Sequence, residues 1–372
     1  MRRSIIPMVL VATTSLIPAV AMASAAPRTE VVGGSLASIT GSASPYGVSQ
    51  ARGASLAARH SAADGGVRVR LHLADDQSSN SMGTNQMIGF TGARVGAVLG
   101  PTLSGVAAAA APIAAAAGIP VLAVTNTTLD LAQAGRTVWR VTLSEDRLIP
   151  ASVAYANDTR GVATASLVSV TGDAYSEGAA AAFRRAAANE GITLLADVSM
   201  PMGSADAAAV VSRATAPGPG AIFFAARSVE AVNLAVAAAG FRGVKVGGNG
   251  YNTPDVLGAA GSATDGMIVS ASWNPGRRDA RSRAFVRAYR AAYGGTPSAF
   301  AAQGYAGVQL LEAAAERGRG GDPARVLAGL RAVRSVPSVL GTMRFTKGVR
   351  EAVYPATVQQ VRGGRLLLAP RR

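Results

Sequence analysis

Short apolar runs alternate with longer stretches of helical period along most of this chain. Residues 30–36, 95–99, 119–122, 165–170, 194–198, 221–225 and 244–247 read as strands. Helical stretches lie between them, at roughly 49–63, 106–117, after the loop 171–175 to near 190, from 205, and 228–239, with stops at Gly65-Gly66, Gly118 and Gly191. Val67, Val69, Leu71 and Leu73 alternate with Arg68, Arg70 and His72. That spacing predicts a half-exposed strand with His72 on its polar face. Repeated βα units of this kind predict right-handed crossovers and an α/β fold, with parallel sheets covered on both faces. The last third changes character. Helices are expected over 280–293, where Phe285, Tyr289 and Tyr293 share a core-facing side, over 298–317, and from the Asp322-Pro323 N-cap. Residues 353–361 and 365–368 read as strands around Gly363-Gly364.

Two strand-end loops carry the chemistry. Gly100-Pro101-Thr102-Leu103-Ser104-Gly105 follows one apolar run, and Val124-Thr125-Asn126-Thr127-Thr128 follows the next. Small hydroxyls therefore stand at the carboxyl ends of neighbouring parallel strands, where open α/β sheets bind small molecules. Gly105 lets backbone approach a ligand, and the helix starting at Val106 aims free N–H groups at the same point, which suits a carboxylate. The plainer alternative is that Ser104 caps its helix and the threonines serve turns.

Composition narrows the class. The 372 residues carry a net charge of +15, and Lys245 and Lys347 are the only lysines. The arginines are scattered singly and do not interleave with aromatics, so a nucleic-acid groove is not expected. Residues 1–26 read as a signal peptide: Arg2 and Arg3, an apolar segment over 5–22, then the small-residue sites Ala21-Met22-Ala23 and Ala23-Ser24-Ala25. No later run is long and apolar enough to span a membrane. With no Cys in the chain, the exported protein must rely on a large core rather than on disulfides.

Catalysis finds little support. His60 and His72 both read as lying on exposed faces, away from any serine at a strand end. No Gly-x-Ser-x-Gly elbow surrounds Ser104, no Cys or His cluster suits zinc, and no phosphate-binding Gly-Lys loop is present. Adjacent Asp75 and Asp76 point to opposite sides and do not form one acid/base site. No enzyme activity, metal or cofactor is expected.

In order and spacing, these pieces resemble the type I periplasmic solute-binding proteins, in the branch typified by the leucine/isoleucine/valine-binding protein of branched-chain amino acid ABC importers. The resemblance rests on Tyr46-Gly47, Gly53-Ala54, Asp75-Asp76-Gln77-Ser78, Gly100-Pro101 with Ser104-Gly105, and the Thr127 loop. It continues through Asp173-Ala174-Tyr175, Gly240-Phe241, Gly266-Met267-Ile268-Val269, and Tyr289 with Tyr293-Gly294 and Pro297-Ser298-Ala299. It implies two Rossmann-like lobes joined by three crossovers, with the ligand in the cleft between them. The lobes would comprise 28–142 plus 273–343 and 143–272 plus 344–372, with hinges at Thr142, Ser272 and Gly341. It implies that Ser104 and Thr127 hold a ligand carboxylate and that Tyr46 and Tyr175 line the cleft.

Two positions depart from that pattern. Asn249 matches the acid that holds a ligand ammonium, and a neutral amide cannot balance a buried cation. Arg227 matches a cleft tyrosine; it either faces the cleft as a fixed cation or points to solvent. Thr125 and Asn126 are more polar than the small residues usual in that loop. These changes favour an acid without an amine, aromatic in view of Tyr46, Tyr175 and Trp273, over leucine, isoleucine or valine. The resulting expectation is a periplasmic, monomeric receptor that delivers a small carboxylate-bearing solute to an ABC permease. A periplasmic sensor of the amide-binding type and a secreted hydrolase are the alternatives.

Overall fold

The computed structural model describes residues 29–370 apart from 64, 65 and 132; the expected leader at 1–26 lies outside the described residues. Each apolar run becomes a parallel strand and each Ala-rich stretch a helix laid across it. The first lobe begins with β1 (Glu30–Ala37), α1 (Ser44–Ala63), β2 (Arg68–Asp75), α2 (Asn80–Gly92), β3 (Ala97–Leu99), α3 (Ser104–Ala116), β4 (Val121–Ala123) and β5 (Val138–Arg140). Its sheet runs β2-β1-β3-β4-β5, all parallel. The second lobe holds α4 (Glu145–Arg160), β6 (Thr164–Thr171), α5 (Ala174–Asn189), β7 (Thr193–Pro201), α6 (Ala207–Thr215), β8 (Ala221–Ala225), α7 (Ser228–Ala237), β9 (Val244–Gly247), α8 (Pro254–Ala260) and β10 (Ile268–Ala271).

The chain then returns. Helices α9 (Ala280–Tyr293), α10 (Ala299–Gly318) and α11 (Pro323–Ala332) and the hairpin β11 (Ser335–Ser338)–β12 (Gly341–Arg344) cover the first sheet. Phe285, Leu310, Leu330 and Val336 share one apolar core with Val31 and Leu99. Finally β13 (Thr357–Arg362) and β14 (Arg365–Leu368) cross back as antiparallel edge strands, giving the order β14-β13-β10-β9-β8-β6-β7.

Helix α1 packs on α10 at backbone contact distance. A Cβ on Gly53 would lie 1.9 Å from the Ala301 carbonyl oxygen, and one on Gly304 would lie 2.2 Å from that of Gln50. This packing overturns the exposed reading of His60: the ring is half-buried, its Nδ1 2.8 Å from the Tyr305 hydroxyl of α10. Helix α1 also starts at Ser44 rather than near 49, because Pro45 fits a first helical turn. The alternation in β2 fails at Leu73, which is 54% exposed on an edge strand, whereas Val69 is buried. His72 is exposed, as its face predicts.

Two of the expected hinge residues touch: the Thr142 and Ser272 hydroxyls are 3.0 Å apart, and Gln303 Nε2 donates to Thr142 at 2.8 Å. Gly341 does not lie on a crossing segment. It sits with φ +107° at the β11–β12 turn, and the chain still packs in the first-lobe core at Ala352 and Tyr354, so the third crossing comes just before β13.

Candidate ligand-binding cleft

Carboxyl ends of strands from both lobes face each other. From the first lobe come the loops after β1, β3 and β4, with β1 lying between β2 and β3 where the strand order reverses. From the second come the loops after β6, β8 and β9. Tyr46, Thr102, Leu103, Ser104, Thr125 and Phe300 meet Tyr175, Arg227, Asn249 and Gly250 around one cavity. Of the expected site residues, Tyr46, Ser104, Thr125, Tyr175, Arg227 and Asn249 line this cavity; Gly105 does not, and Asn126 and Thr127 stand buried behind its wall.

Each side chain has a distinct position. Ser104 is the first residue of α3, and Leu103 occupies the N-cap. The Ser104 hydroxyl therefore does not cap the helix, and it takes no hydrogen bond among the described residues. Gly105 follows in the first turn; a Cβ there would meet Asn80 Oδ1 at 3.5 Å and Ala174 Cβ at 3.9 Å, which are ordinary contacts. The protein's own packing does not require glycine here. The Thr127 hydroxyl and Asn126 Oδ1 are buried without partners. Thr125 is different: its hydroxyl donates to the Thr102 carbonyl at 2.8 Å and lies 3.1 Å from Gln50 Oε1. With its one proton used, Thr125 shapes the loop rather than donating to a ligand. Asn126 Nδ2 reaches the same Thr102 carbonyl at 3.2 Å.

Two tyrosines line the cleft. The Tyr46 hydroxyl accepts the Ser228 N–H at 2.7 Å and donates to the Gly250 carbonyl at 2.9 Å, tying one lobe to the other. Burial pushes its pKa up to about 12. Tyr175 accepts the Gly250 N–H at 2.8 Å, and burial raises its pKa well above the ordinary phenol value. The space left between these groups is small, about 30 Å³. A wider groove of about 1360 Å³ lies behind the crossings, at Tyr155, Arg277 and Gly341. Its Arg277 is already committed to Asp279 and the Leu340 carbonyl.

The charges differ from the sequence expectation. Arg227 faces the cleft rather than solvent, but it is not a free cation: Nε and Nη2 lie 2.9 and 2.8 Å from Asp173 Oδ1. Asp173 Oδ2 caps α5 through Ser176. Asn249 Oδ1 accepts a hydrogen bond from Asn252 Nδ2 at 2.8 Å. Trp273, expected near the ligand, is buried in the first-lobe core, with its indole N–H on Ser282. One residue was missed. Glu145, in the first turn of α4, is 2% exposed, and neither carboxylate oxygen has a hydrogen-bond partner. Burial pushes its pKa up to about 7, against smaller opposing pulls from Thr127, the Asn249 N–H and Arg140. Its signal was Ser144-Glu145-Asp146, an acidic pair opening a helix at the first crossing.

Residues 32–365 match the family model described as periplasmic binding protein. The chain belongs to the periplasmic binding protein family. Within it, the chain falls in the Leu/Ile/Val-binding branch of type I periplasmic binding proteins. It is 26% identical over 343 residues to the Leu/Ile/Val-binding protein BraC3 of Rhizobium johnstonii, covering 90% of this chain and 92% of that one. Among solved structures, leucine binding protein LivK of Thermotoga maritima superposes with a TM-score of 0.85 at 23% identity, over 91% of this chain and 98% of that one. A solute binding protein of R. palustris in complex with benzoate superposes with a TM-score of 0.81 at 22% identity, over 91% and 95%. As a periplasmic binding protein the chain has two parallel-sheet lobes, and no helix among its described residues is long and apolar enough to cross a membrane.

Proposed function

We propose that this chain is an exported, extracytoplasmic receptor of an ABC importer, which closes its two lobes on a small carboxylate-bearing solute and presents it to a membrane permease. The observation that supports this reading is that Ser104, at the amino end of α3, lines one cavity with Tyr175, Arg227 and Asn249 of the other lobe, while the unpartnered Thr127 hydroxyl is buried behind its wall. A helix amino end with free N–H groups and uncommitted hydroxyls suits a carboxylate. The Tyr46 bridge and the crossings at Thr142 and Ser272 would let closure be rigid-body motion about a few residues. Ligand contacts from both lobes then shift the population toward the closed form. Relatives whose names record binding of Leu/Ile/Val, and a fold neighbour holding benzoate, support a small carboxylate as the common element. The receptor acts as a monomer without a cofactor.

The test is a thermal-shift panel of amino acids and organic acids on the mature protein. A cognate ligand at about a hundred times its dissociation constant should add about 2.7 kcal/mol of stability. Ser104→Ala should weaken its binding roughly tenfold to a hundredfold. Turnover of ester or amide substrates by the parent would point instead to the hydrolase alternative.

A further inference from the structure

The cavity-lining Asn249 is one end of a buried chain of side-chain amides. Asn249 follows β9 in a single 3₁₀ turn, and Asn252 closes that turn. Asn252 Nδ2 donates both to Asn249 Oδ1 and to the Ser270 carbonyl of β10, each at 2.8 Å. Gln359 Nε2 of β13 donates in turn to Asn252 Oδ1. Asn274, just past Ser272 at the second crossing, donates its Nδ2 to Gln359 Oε1 at 2.6 Å and to the Leu366 carbonyl of β14 at 3.1 Å. Its Oδ1 accepts the Gly276 N–H at 2.7 Å.

The backbone decides which way these amides point. A carbonyl only accepts and an N–H only donates. The Leu366 carbonyl and the Gly276 N–H therefore fix the two ends of Asn274. Asn274 then offers Gln359 an N–H, so Gln359 answers with Oε1 and sends Nε2 to Asn252. Gln359 and the Ser270 carbonyl hold Asn252 from two sides. Asn252 presents only N–H to Asn249, and Asn249 must turn its Oδ1 to it. Turning any one amide over would set N–H against N–H and oxygen against oxygen in a buried site, which is costly.

We propose that this amide chain fixes Asn249 as a hydrogen-bond donor to the ligand, so that the cleft selects a carboxylate-bearing solute whose second-lobe end is an unprotonated oxygen, a carbonyl or a second carboxylate. Asn249 contacts the ligand; Asn252, Gln359 and Asn274 are positioning residues. This rests on the carboxylate-receptor reading above and adds a second requirement at the ligand's other end.

The free end of Asn249 is Nδ2. It makes no hydrogen bond among the described residues, and it does not reach either oxygen of Glu145, both of which are unpartnered. Its N–H groups are therefore left for whatever occupies the cavity. An ammonium carries donors only and would meet them N–H to N–H, whereas a carbonyl or carboxylate oxygen would accept from them. Every bond of the chain lies within the second lobe or at its crossing, on β10, β13, β14 and the turn after β9. The donor is thus oriented before the lobes close, and binding need not reorder it.

The experiment is calorimetry on the mature protein with matched 2-oxo and 2-amino acids: 4-methyl-2-oxopentanoate against leucine, 3-phenyl-2-oxopropanoate against phenylalanine, and 2-oxoglutarate against glutamate. Parent, Ser104→Ala, Asn249→Asp and Asn252→Leu are compared, each with its melting temperature. The parent should bind the oxo member of at least one pair and prefer it to its amino partner by roughly tenfold or more. Asn249→Asp still accepts from Asn252 but shows the cavity an oxygen in place of N–H, and it should reverse that preference. Asn252→Leu frees the Asn249 amide to turn, so the preference should fall toward unity. A merely structural chain would instead weaken both members of a pair equally and keep their ratio, which would overturn the assignment. Asn249→Asp keeps every bond of the chain and carries the test if Asn252→Leu fails to fold. An oxo-acid preference that survives Asn249→Asp would overturn the assignment as well. Amino acids bound through Ser104 as tightly as oxo acids, or more tightly, would overturn it and leave the receptor reading intact. Binding of no acid in the panel, or binding indifferent to Ser104→Ala, would remove the receptor reading and this assignment together.

Discussion

Tyr46→Phe should open the cleft without unfolding the protein. The Tyr46 hydroxyl makes two hydrogen bonds to the opposite lobe, accepting from Ser228 N–H at 2.7 Å and donating to the Gly250 carbonyl at 2.9 Å. The ring itself packs on Phe300, with centroids 4.9 Å apart, and phenylalanine keeps that contact. Two neutral hydrogen bonds contribute about 0.5–1.5 kcal/mol each, so the closed arrangement loses about 1–3 kcal/mol. The open arrangement loses little, because water then satisfies both backbone groups. The closed-to-open ratio should therefore fall by about 5-fold to 150-fold. Where the open form predominates without ligand, apparent affinity falls by the same factor. With its pKa near 12, Tyr46 stays neutral and the bridge should not vary with pH between 5 and 9. Small-angle scattering of the ligand-free variant should give a larger radius of gyration than the parent, and calorimetry a weaker ligand, at nearly unchanged melting temperature. An unchanged radius together with unchanged affinity would refute the claim that this hydroxyl ties the lobes.

Three further perturbations separate site from scaffold. Gly105→Ala meets only ordinary contacts within the protein; it should raise stability by about 0.4–1 kcal/mol and still weaken ligand binding, as parallel chemical denaturation and calorimetry will show. Asp173→Asn keeps an acceptor for the α5 cap but strips Arg227 of its counter-ion. Affinity for a dicarboxylate such as succinate should then rise by roughly tenfold in competition binding, and no gain would mean that Arg227 cannot reach the ligand. The third concerns pH. Burial raises the Glu145 pKa from 4.5 to about 7, so the folded state holds this proton more tightly than the unfolded chain. Ionisation therefore penalises the ligand-free fold, and stability is lost as pH rises from about 4.5 through about 7, on the order of 3 kcal/mol in all. Glu145→Gln should remove this loss; the test is whether the parent's urea midpoint falls relative to the variant's between pH 5 and 8.

Local pattern explains what was legible in the sequence. Glycine-bounded apolar runs gave β3, β4 and the loops that follow them, which is why Ser104, Gly105 and Thr127 could be named together. The resemblance supplied Tyr46 and Tyr175 on the opposing rims. What could not be read locally depends on partners distant along the chain. Thr125 looks like a free hydroxyl until Gln50 and the Thr102 carbonyl are brought against it. Arg227 looks like an unpaired cation until β6 and β8 lie side by side and deliver Asp173 to it. Trp273 looks like a cleft aromatic until α9 folds over it. Glu145 looks like an ordinary helix-opening acid, since negative charge is favoured at any helix amino end. Only its burial beside Thr127 and Asn249 distinguishes it.

The central claim, that the cleft holds a small carboxylate on the amino end of α3, is tested most directly by native mass spectrometry. The protein is unfolded and refolded to strip bound solutes, then offered a mixed library of amino acids, organic acids and uncharged analogues. The account predicts a one-to-one complex with a carboxylate-bearing compound, lost from the Ser104→Ala/Thr127→Val double variant while its melting temperature stays near the parent's. A complex with an uncharged compound, or one that survives the double variant unchanged, would contradict it.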